Sequence, residues 1–293
     1  MRKILALAVV LFLAGGVIFA LHSQVTLLNR FAPGNFTVTR NISYTSGPRG
    51  GLDIYAPRHA SNAPLVVFFY GGSWQEGDKA LYRFVGAALA AHGVVAMIPD
   101  YRVYPQTRFP GFLQDGATAV AWAHAHAATY GADPARLFLM GHSAGAYIAA
   151  MLALDPEWLA PHGLNPKHDI AGLIGLAGPY DFLPLTDPVL KIIFGPPAGL
   201  ARTQPIDFVT SGAPPAFLAA GMKDATVDPG NSTRLARRLR QSADRVEVKF
   251  YPGIDHIELA GALSPWLSTL APVLADCLAF IEQTKQQTPR SAA

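Results

Sequence analysis

The pentapeptide Gly141-His142-Ser143-Ala144-Gly145 sets a serine hydroxyl between two glycines. It follows the apolar run 137–140, which reads as a buried strand, and precedes an alanine-rich run that reads as a helix. Strand, Gly-x-Ser-x-Gly, helix is the setting in which a serine is lifted onto a sharp turn as a nucleophile. Such a turn strains the serine backbone and leaves room for only very small residues two positions to either side. A serine needs a base to take its proton, an acid to orient that base, and donors for the oxyanion. Candidates for each stand at other predicted strand ends. Tyr70-Gly71-Gly72-Ser73-Trp74 follows the apolar run 65–69, and its paired glycines let backbone N–H groups approach a substrate oxygen. The N–H of Ala144, at a predicted helix N-terminus, is aimed at the same place. Asp224 follows the predicted strand 215–220 and could orient a histidine; Asp228 competes for that role, although its position before Pro229 also fits a helix cap. His256 follows the predicted strand 246–251 in a loop from which it can reach the serine. The order Ser, Asp, His suits this arrangement.

The remaining polar residues read as structural. The side chain of His142 is expected to point away from the face that Ser143 presents. His124 and His126 are two apart on a predicted helix, hence on different faces, and make a poor metal pair. Asp100 and Arg102, after the strand 94–98, are expected to pair locally and fix their loop.

These residues need a scaffold that brings strand ends together. A hairpin is predicted from strands 36–44 and 52–55 around a glycine-rich turn. Continuous apolar runs then alternate with helical segments: strands 65–69, 94–98, 137–140, 170–177, 215–220 and 246–251, with helices 81–91, 112–130, 144–154, 231–241 and 266–283. That alternation predicts an α/β domain, a mostly parallel sheet with helices on both faces. Sites in such sheets form beyond the carboxyl ends of the strands. Residues 178–214 break the pattern with seven prolines and read as a lid or cap insertion over that edge.

Composition bounds the rest. The chain has 293 residues, 51% hydrophobic and 15% charged, with a net charge of +3, which suits one large core and gives no reason to expect nucleic acid as a partner. The basic run 234–240 spaces its leucines four apart and reads as a solvated helix face. Cys277 is the sole cysteine, so an intramolecular disulfide is excluded and a buried thiol is expected. Arg2 and Lys3 precede the uncharged apolar run 4–21, which at helical rise spans about 27 Å, near the thickness of a bilayer core. The expected organisation is a signal peptide or signal anchor at 1–22, a tether at 23–35, the domain at 36–286 and a tail at 287–293. The domain is expected to be exported to the periplasm or beyond, with membrane contact through residues 4–21 if they are not cleaved.

The loop at residues 70–74, the tripeptide Asp100-Tyr101-Arg102, residues 141–145, residues 221–227 and the pair Asp255-His256 resemble the α/β-hydrolase esterase/lipase superfamily, in its order, over roughly residues 36–285. The nearest likeness is to the carboxylesterase-like branch with a His-Gly-Gly-x-Trp loop, which includes kynurenine formamidase, prenylcysteine methylesterase-like and feruloyl-esterase-like proteins. The resemblance implies an α/β-hydrolase fold, Ser143 as nucleophile, Asp224 as acid, His256 as base, and oxyanion donors from Gly72, Ser73 and Ala144. Tyr70 stands where the branch usually has histidine. Tyr70, Trp74 and Tyr180 are expected to touch the substrate. The implied reaction is hydrolysis of a small-molecule carboxylic ester through an acyl-enzyme, with no metal or organic cofactor. Amide cleavage, acyl transfer to another alcohol, or a silent membrane-tethered scaffold are the alternatives.

Overall fold

A computed structural model describes residues 28, 29 and 34–285. The expected leader at 1–22, most of the tether and the tail at 287–293 lie outside the described residues. Among the described residues, no helix is long and apolar enough to cross a membrane.

The glycine-rich turn joins β1 (Phe36–Ser43) to β2 (Gly51–Pro57), an antiparallel pair. The chain then forms β3 (Ala63–Phe69), α1 (Arg83–Ala91), β4 (Val95–Pro99), α2 (Gly111–His126), β5 (Ala132–His142) and α3 (Ala144–Leu154). After β6 (Gly172–Leu176) comes the insertion, with one helix, α4 (Pro188–Phe194), and 3-10 turns at Pro197–Thr203 and Pro205–Phe208. The chain ends with β7 (Ala216–Gly221), α5 (Gly230–Gln241), β8 (Val246–Tyr251), α6 (His256–Gly261) and α7 (Val273–Lys285).

The eight strands form one sheet in the order β1-β2-β4-β3-β5-β6-β7-β8. β2 meets β4 antiparallel, and every pair from β4 to β8 is parallel. The continuous apolar runs sit where both faces are covered: every residue of β3, β4, β6 and β7 is buried. The edge strands, β1 and β8, are mostly half-buried or exposed.

Three expectations are corrected. The predicted helix 266–283 begins only at Val273, after Pro272, because proline cannot donate inside a helix; residues Pro265–Leu267 form a separate 3-10 turn. The loop read around His256 is in fact the start of α6, capped by Asp255 in a reciprocal capping box with Glu258. Asp100 does not pair with Arg102. Asp100 takes the Lys79 amine at 3.1 Å and the Tyr70 hydroxyl at 2.8 Å, while Arg102 forks onto Asp115 on α2. β4 lies between β2 and β3, so its end faces the loop after β3 rather than its own neighbours.

The first described residues belong to the domain. Asn29 accepts the Phe84 N–H at 2.8 Å and donates to the carbonyls of Ala80 and Leu81, which pins the incoming chain to the amino end of α1. Cys277 is buried, as expected, and burial pushes its thiol well up.

Candidate active site

Ser143 caps the amino end of α3 with φ 55° and ψ −124°, a region that side chains other than glycine rarely occupy. The strain is held from both sides. The Ser143 N–H donates to Leu176 O on β6 at 2.9 Å, and its carbonyl accepts from Tyr147 in the first turn of α3 at 3.1 Å. Gly145 is required because a Cβ there would run into the carbonyl oxygens of Phe69 and Tyr70. The elbow and the loop after β3 are thus in backbone contact.

That loop is itself unusual. Gly72, Ser73 and Trp74 all take positive φ, at 135°, 53° and 58°. Two consecutive non-glycine residues in the left-handed region cost free energy and persist only where the surroundings impose them. A Cβ on Gly71 would approach the Ser143 Cβ and the His142 Nδ1, each to 3.1 Å, so this segment lies directly on the nucleophile. The N–H groups of Gly72 and Ser73 find no protein acceptor among the described residues. The first N–H of a helix, here that of Ala144, has no partner within the helix.

Asp224 and His256, the expected acid and base, follow the ends of the adjacent strands β7 and β8. Asp224 is fully shielded and accepts from His256 Nδ1 at 2.7 Å. Its other oxygen takes the Thr226 and Val227 amides, both at 2.9 Å. Burial works against ionisation of Asp224, but the His256 ring and these two amides outweigh it and hold the carboxyl below its ordinary range. With Nδ1–H facing a carboxylate, the basic nitrogen of His256 is Nε2. The loops carrying the pair are cross-tied, Met222 N to Tyr251 O and Lys223 N to Ile254 O. Asp228 is elsewhere: largely exposed, it accepts the Gly230 amide and pairs with Arg234 at 3.1 Å, the role of a helix cap.

His142 differs from its expected outward orientation. It is buried, its ring packs on the His256 ring with centroids 4.7 Å apart, and its Nε2 lies 3.0 Å from the His256 carbonyl oxygen. With a carbonyl as partner, Nε2 is the donor. Burial, and then the neighbouring His256, push its pKa down to about 3, so the ring is neutral. One side chain therefore touches His256, adjoins Ser143 and abuts the loop after β3 at Gly71. The sequence signal was present in the histidine next to Ser143, but only the placement of β8 shows what it meets.

The three expected substrate contacts are not open to solvent. Tyr70 is fully buried behind the loop, stacked on Tyr101 and Tyr82, with its hydroxyl shared between Asp100 and Arg49. It is a strut that holds the oxyanion loop. Tyr180 is likewise fully buried, its N–H taken by Asn231 at 2.9 Å. Trp74 is buried in an aromatic cluster with Phe112, Tyr147, Phe182 and Phe194, which joins the loop to the insertion. Asn231, Gln204 and Arg234 fasten the insertion: Asn231 holds the Tyr180 and Asp181 amides, Gln204 the Phe182 amide, and Arg234 the Asp181 carboxylate at 2.6 Å. Arg234 is thus a tie rather than part of a solvated face.

A strained serine between strand and helix, a His–Asp pair from the next strand ends and a mostly parallel sheet define the class of α/β-hydrolases. Solved structures share the fold. Esterase B from Lactobacillus rhamnosis (HN001) superposes with a TM-score of 0.77 at 20% identity, covering 94% of both chains. A truncated carbohydrate esterase from gut microbiota gives 0.73 at 18% identity, over 87% of this chain and 100% of that one. The chain belongs to the BD-FAE family, whose model matches residues 52–239. Among curated relatives, a probable isoprenylcysteine alpha-carbonyl methylesterase, ICMEL1 of Arabidopsis thaliana, is 29% identical over 245 residues, 76% of this chain and 51% of its own length. Esterase LipC of Mycobacterium tuberculosis (strain ATCC 25618 / H37Rv) is 30% identical over 239 residues, 74% of this chain and 59% of its own. The chain spans little more than half the length of these relatives.

Proposed function

We propose that this protein is a serine hydrolase that cleaves carboxylic esters of small to medium size through an acyl-enzyme. The observation that carries the reading is the Asp224–His256 pair, bonded at 2.7 Å and packed against the elbow residue that precedes Ser143. The names of its curated relatives, methylesterases and esterases, support the ester as substrate class.

In this mechanism His256 Nε2 takes the Ser143 proton as Oγ attacks the ester carbonyl. Asp224 keeps the ring oriented and stabilises its cationic form. The tetrahedral oxyanion is held by the N–H groups of Gly72, Ser73 and Ala144; one such donor is worth about 3–4 kcal/mol in the transition state. His256 returns the proton to the leaving alcohol. Water then enters by the same route, the acid is released, and Ser143 is regenerated. The basic pair Arg2 and Lys3 before an uncharged apolar run supports an extracytoplasmic setting.

A fluorophosphonate probe tests the reading. The folded wild type should be labelled and Ser143→Ala should not; an unlabelled wild type, or equal labelling of both, would overturn it. A series of p-nitrophenyl esters of increasing chain length then defines the acyl preference.

A further inference from the structure

Apolar side chains are unevenly placed on this surface. Seven large hydrophobic residues are exposed among the described residues: Leu183 and Ile192 in the insertion after β6, Met222 directly after β7, Ile257 at the start of α6, Phe250 on β8, and Trp266 and Leu270 beyond α6. Met222 is 62% exposed beside the end of β7, and Ile257 adjoins His256. Leu183 and Ile192 rim a cleft of about 1040 Å³ between the insertion and the segment around Tyr104. The cleft is lined by apolar residues and by two cations, Arg108 and Lys191, with no carboxylate among the lining residues. The acids near these residues in sequence are engaged: Asp181 by Arg234, Asp187 as the cap of α4, Asp224 by His256, and Asp255 with Glu258 in the capping box of α6. An apolar surface with a cationic rim complements lipid tails beneath anionic headgroups.

The path of the chain is compatible with the same face. Asn29 is pinned to the amino end of α1, next to Lys79, which holds Asp100 at the carboxyl end of β4. The chain therefore enters at the catalytic edge of the sheet. Between Asn29 and the apolar run 4–21 stand residues 22–28, which reach at most about 25 Å. A run of that length and composition embedded in a bilayer leaves the catalytic edge within reach of the lipid surface.

We propose that the carboxyl-edge face, centred on the cleft between the insertion and Tyr104, rests on a lipid bilayer bearing anionic headgroups while residues 4–21 tether the chain. Ile192 and Leu183 enter the interface and Arg108 and Lys191 meet the headgroups. The exposed side chains of Met222 and Ile257, close in sequence to Asp224 and His256, then face ester substrates dissolved in the membrane. The contact is independent of the serine chemistry.

The test uses the full chain in vesicles of phosphatidylcholine alone or with phosphatidylglycerol. A polarity-sensitive fluorophore is attached at Ile192→Cys or, as the control, at His59→Cys in the turn between β2 and β3 at the opposite edge; the native Cys277 is buried. The expected result is a blue shift and quenching by lipid-borne spin labels at position 192 only, stronger with phosphatidylglycerol, weakened by high salt and lost in the double variant Arg108→Glu, Lys191→Glu. No shift at 192 in vesicle-bound protein, or equal shifts at both positions, overturns the proposal. So does a 192 label already shielded without lipid, which would mean that residues 4–21 or a second copy occupy the cleft. Hydrolysis of a short aryl ester, followed in the same samples, reports separately on the hydrolase reading.

Discussion

Replacing His142 with phenylalanine keeps a flat ring against His256 and deletes both ring nitrogens. At pH 7.5 the variant loses the 3.0 Å bond to the His256 carbonyl. The carbonyl keeps its intrahelical partner as the first residue of α6, so the lost bond costs about 0.5–1.5 kcal/mol. Part of this is offset, because His142 Nδ1 is buried and finds no partner among the described residues, and its removal relieves that burden. The variant should therefore be less stable by no more than about 1 kcal/mol. Acid reverses the order. The folded pKa of His142 is about 3, against an ordinary 6.5, so between these values the unfolded chain binds more protons than the native state. Stability rises with pH in that window and is lost as pH falls below about 6.5. At pH 4.5 the wild type has lost about 2.7 kcal/mol through this residue, at about 1.36 kcal/mol per unit. Phenylalanine carries no such dependence. Urea unfolding at both pH values should show the stability difference moving by about 2–3 kcal/mol toward the variant, which becomes the more stable protein at pH 4.5. A difference that does not change with pH refutes the buried neutral histidine. The same variant also loses a fixed point for the backbone of the base. A fall in kcat of about tenfold with KM within about twofold is expected, and an unchanged kcat would mean that this bond does not position His256.

Three more outcomes follow from named contacts. Asp224→Asn should reduce kcat on a short aryl ester by about 10³-fold or more, because the amide cannot stabilise the cationic ring, whereas Asp228→Asn, a helix cap, should leave kcat within about threefold; the reverse ranking would reassign the acid. Tyr147→Phe should be neutral to stabilising by about 1 kcal/mol in urea unfolding, since the Tyr147 hydroxyl is buried with no partner among the described residues. Tyr70→Phe should cost about 1–3 kcal/mol by the same measurement and lower kcat more than it raises KM, because it frees the loop from Asp100 and Arg49 without opening a cavity.

Local pattern carried much of the architecture. The runs 65–69, 94–98 and 215–220 are apolar throughout because both faces of an inner parallel strand are covered, and each of them is buried in the sheet. Residues 141–145 were legible as an elbow because the chemistry and the steric demand fall within five consecutive residues. Partner choice was not legible. Arg102 stands two residues from Asp100 yet bonds Asp115, and Tyr70, the departure from the usual histidine, turns to Asp100 rather than toward a substrate. Charge and spacing along the chain carry no information about which strand lies next to which.

By itself, then, the amino-acid sequence determined the alternation of strands and helices, the strained serine and the order in which acid and base follow it, since these depend on periodicity and on glycine at fixed offsets. Tertiary structure decided which carboxylate meets His256, that His142 clamps the backbone of His256, and that Asn231 and Arg234 fasten the insertion. Each of those contacts joins residues more than 30 positions apart, and the strand order β4-β3-β5-β6-β7-β8 brings them within hydrogen-bonding distance.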